Sequence, residues 1–337
     1  MMSTRDTFAM LPLVVALGAC GLSLSVDESG GGTDGGPQAP RDATAQAPID
    51  AAPTLADASS PADAAPVDAG DHCQNGRKDG DEGALDCGGS CAKKCALADS
   101  CNRTDDCADG LTCRGGLCQV PASCKELHTE RPTVATGVYK LQTSTTTKVF
   151  AAQCDMTEDG GGWTLALKAD GTKPTFAYFA GYWENETLLN EGQAADDVTT
   201  EAKLASYVEP PFDDLLLVMT EKGKAPQKKK LSVKGTSLRS AVKGGAMTNL
   251  GRDAWLSLIQ NSALQPNCNQ EGLSVGNYVK VRIGIVANLE NDCASPDSYV
   301  GVGGYGCVGT VVGNMACYNS TNGGDKNIPA FATIYVR

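Results

Sequence analysis

Histidine is nearly missing from this chain. Only His72 and His128 occur in 337 residues, and neither lies in a nucleophile or metal-ligand pattern. A Ser-His-Asp site would have to be built from one of these two. A carboxylate pair of the glycosidase kind is compatible with the composition, but nothing in the sequence singles one out. Positive charge is scarce as well. Lys and Arg number 28 against 40 Asp and Glu, a net charge of −12. The one basic run, EKGKAPQKKKLSVKG at 221–235, has no interleaved aromatics. It reads as a solvated hairpin, and no nucleic-acid partner is expected. Long apolar runs are also lacking. The N-terminal run ends at Leu17, too short to span a bilayer, so residues 1–20 read as an export signal.

Cysteine, by contrast, is abundant, with 15 residues. Cys20 stands alone, eight follow between 73 and 118, and six more lie at 124, 154, 268, 293, 307 and 317. Two even sets suit disulfides, which persist only in oxidising compartments. The singleton closes Leu17-Gly18-Ala19-Cys20, which resembles the lipidation box of bacterial lipoproteins. That resemblance implies lipidation of Cys20 and anchoring at the outer membrane or cell surface; ordinary cleavage leaving a free thiol is the other reading. Residues 21–71 hold nine acidic residues against Arg41 alone, and so supply −8 of the net −12. This Ala/Pro/Asp/Gly-rich stretch has too little apolar surface to offset chain entropy. It is expected to be a disordered tether, spanning on the order of 40 Å.

Residues 72–119 form a separate Cys-rich segment. Eight cysteines with few large apolar side chains indicate a fold held by disulfides, with about a hundred possible connectivities. The close spacing of Cys87, Cys91 and Cys95 permits a zinc reading, which export disfavours. Asp79, Asp81, Glu82 and Asp86 read either as oxygen ligands for Ca²⁺ or, more simply, as an Asp/Gly-rich turn. The segment resembles Cys-rich repeats of myxobacterial surface lipoproteins, which implies a spacer or adhesive module.

Residues 120–337 look globular. YVKVRIGIV places Val279, Val281, Ile283 and Ile285 on one strand face, with Lys280 and Arg282 opposite. Residues 213–220 and the terminal AFATIYVR also read as strands, and 251–260 as a short helix with Trp255, Leu256 and Ile259 on one side. The expected fold is α+β, with a twisted, mostly antiparallel sheet and long loops. Gly160, Gly161 and Gly162 are flanked by strand patterns and lack the Lys and helix of a phosphate loop, so they predict a turn. Gly301, Gly303 and Gly306 match GxGxxG, but Cys307 and no helix follows, so a dinucleotide site is not expected.

CKELHTERPTVATGVYKLQ, VFAAQCDMTEDGGGWTL, NDCASPDSYVGVGGYGC and FATIYVR together resemble the fibrinogen C-terminal-type domain, and more closely its intelectin branch and bacterial relatives. The resemblance covers 124–337, strongly at both ends and weakly from about 170 to 270. It implies that the Gly-Gly-Gly-Trp turn is architectural, that Trp163 is core, and that Cys124 pairs with Cys154. Two pairings of the other four cysteines follow from different relatives. Fibrinogen-like spacing gives Cys293–Cys307 and Cys268–Cys317, and is favoured; intelectin-like alignment gives Cys268–Cys293 and Cys307–Cys317.

The resemblance further implies a non-enzymatic binding domain whose ligand, a glycan or a protein, meets loops of the C-terminal third. Calcium is the implied cofactor; Glu290, Asn291, Asp292 and Asp297 are candidate ligands because they cluster around Cys293, with Asn288, Asp325 and Asn327 as lesser additions, although the fibrinogen-type calcium loop is not matched residue for residue. The same residues also suit turn capping. Tyr305 and Tyr318 are candidates for an aromatic wall. The loop after Cys293 lacks the Glu and His of intelectins, so no sugar specificity carries over.

Overall fold

A computed structural model describes residues 72–143, 148–307, 309–319 and 323–337, all within one compact unit. Cys20, the export signal and the tether lie outside the described residues.

The N-terminal part is a disulfide ladder with one two-stranded ribbon, β1 (Thr112–Arg114) and β2 (Leu117–Gln119). Bonds join Cys73–Cys91, Cys87–Cys95, Cys101–Cys113 and Cys107–Cys118, all inside this set. The cysteines suggested for zinc are therefore consumed. The acidic loop serves its own backbone: Glu82 is buried and accepts from the Asp79 and Asp86 amides, and Asp86 accepts from the Gly76 amide. Helix α1 (Cys124–Glu130), capped by Ser123, joins this ladder to the rest. Arg131 follows it and donates to the carbonyls of Leu111, Thr104 and Cys107 at 2.8–3.1 Å.

The first large sheet contains β3 (Gly137–Leu141), β4 (Phe150–Asp155), β5 (Trp163–Asp170), β6 (Ala202–Lys203), β7 (Leu215–Thr220) and β8 (Gln227–Leu231). The second contains β9 (Ala246–Met247), β10 (Asn267–Gly276), β11 (Lys280–Asn288), β12 (Ser298–Tyr305), β13 (Val312–Ala316) and β14 (Lys326–Pro329). The last strand, β15 (Phe331–Val336), returns to the first sheet between β5 and β7. Every pairing among these strands is antiparallel. Helices α2 (Ala205–Val208), α3 (Leu238–Gly244) and α4 (Arg252–Leu256) are short, so the domain is more β-rich than the α+β expectation. α4 ends at Leu256, before the expected Ile259. Its N-terminus is held by buried Glu271, which accepts from the Leu250 and Gly251 amides and from Trp255 Nε1.

The Gly160–Gly162 run is a turn with all three φ values between 73° and 87°. A side chain at Gly161 would meet the Met156 carbonyl at 2.3 Å. Trp163 is fully buried, donates to the Glu158 carbonyl, and carries the Arg337 guanidinium 4.1 Å above its ring. Lys228 and Lys230 of β8 pair with Glu158 and Asp159 of the turn. The basic run therefore does form a hairpin edge, and two of its lysines are used to hold the turn.

Four glycines crease the second sheet. Gly272, Gly284, Gly301 and Gly313 stand in register across β10, β11, β12 and β13. A Cβ at any of them would approach a neighbouring carbonyl oxygen to 2.0–2.4 Å. The sheet folds over along this row, so the β10–β11 turn reaches the Cys293 loop: Asn277 donates to the Cys293 carbonyl at 2.9 Å. The fold-over also splits the face expected for Val279, Val281, Ile283 and Ile285, of which Val279 lies just before β11. Ile283 and Ile285 join the main core, whereas Val279 and Val281 pack with Val286, Tyr299 and Met315. Gly301 is thus part of the crease, while Gly303 lies against Trp183 and Arg282.

Cys124 is bonded to Cys154. The other pairs are Cys268–Cys293 and Cys307–Cys317, with Cα separations of 5.1 and 6.5 Å, which corrects the favoured pairing. The reason is topological. Cys268 opens β10 opposite the end of β11, where Asn267 faces Asn288, and the Cys293 loop leaves from that end. Cys307 lies in the β12–β13 connection and Cys317 directly follows β13, so the bond ties the two ends of β13 together.

Candidate functional site

The C-terminal sheet carries a ledge of solvent-exposed aromatic rings. Phe179 is 66% exposed and Tyr305, at the end of β12, is 49% exposed. Their ring centroids are 5.0 Å apart in an edge-to-face arrangement, and Tyr178 meets the other side of Phe179 at 5.1 Å. Adjacent exposed rings form a contiguous apolar patch, which makes the ledge a candidate contact surface where singly scattered exposed side chains are not.

The ledge is braced from behind. Arg282 is buried and lies 4.3 Å from the Tyr178 ring centroid. Its guanidinium donates to the Tyr178 carbonyl at 2.8 Å, to Ser274 Oγ at 3.2 Å and to Glu184 at 3.0 Å. A planar fork with every arm engaged fixes the backbone beneath the rings. The aromatic-dense stretch Phe176-Ala-Tyr-Phe-Ala-Gly-Tyr-Trp183 supplies both halves of the arrangement: Phe176 and Trp183 are buried anchors, Phe179 is exposed, and half-buried Tyr178 contacts both Phe179 and Arg282. Sequence reasoning singled out Tyr305 as a candidate but not Phe179. The available signal was the local density of aromatics in a chain with 5% aromatic residues. Tyr318 does not join the ledge; it is 74% exposed and has no ring partner among the described residues.

The loop after β11 holds the four residues suggested for calcium, and the fold does not use them alike. Asp292 serves the loop itself, accepting from the Ala294 amide at 2.9 Å and from buried Asn288 at 3.2 Å. Asp297 is half-buried, and burial, reinforced by the charge of Glu290, raises its carboxyl above the ordinary aspartate range. Gln265 is fully buried beside it: its amide Nε2 donates to the Cys317 carbonyl, while its Oε1 has no partner. Unpartnered buried acceptors are rare and costly. A like-charge pair beside an orphaned oxygen is a donor set that suits a hard cation. Glu290, Asp292 and Asp297 do not, however, converge as three carboxylates within 4.8 Å of one another. Asp325 and Asn327 are engaged elsewhere, with the Asn319 amide and Thr310 respectively.

Neither the histidine cluster of the Cys-rich part nor the charged cleft at Asp213 has catalytic geometry: the cluster lacks the second nitrogen contact and the cleft's cations are paired. His72, Ser90 and Asp81 meet in the Cys-rich part, but serine and carboxylate both contact Nε2, at 3.2 and 3.5 Å. A triad needs its carboxylate on the other ring nitrogen. A cleft of about 420 Å³ is lined by Lys125, Asp213, Lys234 and Arg337. Each of its cations has a carboxylate partner: Lys125 and Lys234 share Asp213, and Arg337 meets Asp214.

No family model matches the chain. Among solved structures, the fibrinogen-like globe domain of human ANGPTL6 is similar at 19% identity and a TM-score of 0.25, over 33% of this chain and 48% of that one. The globe domain of human ANGPTL2 is similar at 16% identity and a TM-score of 0.24, over 33% of this chain and 50% of that one. The matches thus span about half of each globe.

Proposed function

We propose that this chain is an exported, non-catalytic recognition protein of fibrinogen/intelectin-like type, whose C-terminal sheet presents the Phe179–Tyr305 ledge to a glycan. The observation that carries this reading is the exposure of two rings in edge-to-face contact, next to a backbone pinned by buried Arg282. Aromatic faces hold the C–H face of a sugar ring, and pre-organisation keeps the entropic cost of binding low. Seven disulfides among the described residues suit an oxidising, extracellular setting. The test is a screen of immobilised glycans and envelope proteins with the oxidised full-length protein. Retention on glycans that falls at least tenfold in Phe179→Ala supports the reading. Retention only on protein ligands, unchanged in that variant, favours an adhesion role instead.

Two further parts of the proposal rest on the sequence resemblance. Cys20 would carry a lipid and 21–71 would act as a tether, with 72–119 as a rigid spacer. Cys20→Ser should then release the protein from the membrane fraction; unchanged retention there removes the anchor. Calcium would bind beside Cys293, with Asp297, Glu290 and Gln265 Oε1 as the residues best suited to hold it and Asn291 alongside. The cation would supply charge neutralisation and open positions for ligand oxygens.

A further inference from the structure

We propose that the ledge selects sugars that carry a carboxylate, the uronates, and that Lys280 reads the charge. This inference rests on the ledge reading above and adds the class of ligand.

Lys280 opens β11 directly opposite Tyr305, and its ammonium lies 5.7 Å from the Tyr178 ring centroid. It is half-buried, and its two cross-strand neighbours, Tyr305 and Gly276, are uncharged. No carboxylate pairs with it among the described residues. The nearby Arg282 is different, because Glu184 takes up its charge at 3.0 Å. The lysines and arginine around the cleft at Asp213 are likewise paired. In a chain of net charge −12, Lys280 is thus an ammonium with no carboxylate partner, held beside the exposed rings by its contact with Tyr178. A ring-shaped ligand lying on Phe179 and Tyr305 with a carboxylate at its rim would supply the missing partner in a geometry held by β11 and β12.

A peptide carboxylate fits less well. Tyr305 stands on β12, which is hydrogen-bonded to β11 on one side and β13 on the other. β12 itself therefore offers no free edge to which an extended peptide could add beside Tyr305. A sugar needs no backbone pairing.

The discriminating probes are trigalacturonate and its methyl ester, which differ in charge while keeping the ring. Binding to the full-length protein is measured by calorimetry at about 50 and 500 mM salt, since an exposed charge contact is screened over this range. The expected result is a preference for the acid of about tenfold at low salt, shrinking at high salt. Lys280→Met should abolish the preference while leaving the ester's affinity within about twofold, with an unchanged melting midpoint as proof of folding. Phe179→Ala should weaken both probes. Equal affinity for acid and ester, with both still dependent on Phe179, overturns the charge inference and leaves the ledge reading standing. Binding of neither probe overturns the uronate assignment, and Lys280-dependent capture of poly-glutamate would replace it with an acidic-peptide ligand.

Discussion

Gly284 and Gly301 face each other on β11 and β12, and neither has room for a methyl group. A Cβ at Gly301 would lie 2.2 Å from the Ile283 carbonyl oxygen and 2.7 Å from the Gly284 Cα. Both neighbours are backbone in the middle of the sheet, so neither can turn aside. Gly301→Ala should therefore destabilise the domain by about 3 kcal/mol, the upper range for overpacking. Gly309→Ala, where nothing lies within 4 Å of the added carbon, should change stability by less than about 0.5 kcal/mol. Denaturant melts of the two variants make the comparison, and equal effects would mean that the crease does not restrict size.

Lys168 is fully buried, and its ammonium meets Asp197 at 2.7 Å and the Ala195 carbonyl at 3.0 Å. The hydrogen bond from Lys168 holds the Asp197 carboxyl well below the usual aspartate range. A depressed carboxylate contributes stability that is fully present above the unfolded value, near pH 4. That contribution is lost as pH falls toward the folded value. Asp197→Asn should flatten the acid limb of the stability profile. It should also cost about 3 kcal/mol at pH 7, because an unpaired ammonium is left buried. Adding Lys168→Met should recover most of that loss. No recovery in the double variant would show that the pair's charges are not the cause.

Calcium, if it binds beside Cys293, should raise the melting midpoint at millimolar concentration by an amount equivalent to on the order of 1 kcal/mol. Asp297→Asn, which ends the repulsion with Glu290, should abolish the rise. Asp292→Ala is a poorer test, because Asp292 also caps the Ala294 amide and its loss loosens the loop for a separate reason. Identical melts in Ca²⁺ and chelator, with no uptake on direct titration, would remove the site.

Much of the strand layout could be read from the sequence. The 213–220 run, the terminal strand and the Gly160–Gly162 turn depend on local alternation and on glycine's φ range, which a single stretch of chain displays. The crease could not be read in this way. Gly272, Gly284, Gly301 and Gly313 are separated by strands and turns, and they matter only because pairing puts them in one row. The Cys268–Cys293 pair was misassigned for the same reason, since spacing carries no information about which strand ends meet. Lys168 and Lys203 have fully buried side chains, against the usual habit of lysine. Only their partners, Asp197 for one and Asn185 for the other, explain that placement. Within the site, Tyr305 was found from its loop position. Phe179 and Lys280 became site residues only when β11 and β12 brought them beside it.

The most direct measurement is the affinity of one glycan identified by the screen, for wild type and for Phe179→Ala/Tyr305→Ala. Phe179 is 66% and Tyr305 49% exposed, so their removal should leave the melting midpoint within a few degrees of wild type. The recognition role assigned to the ledge predicts an affinity loss of at least tenfold in this folded variant. Undiminished glycan affinity in the doubly substituted protein would contradict it.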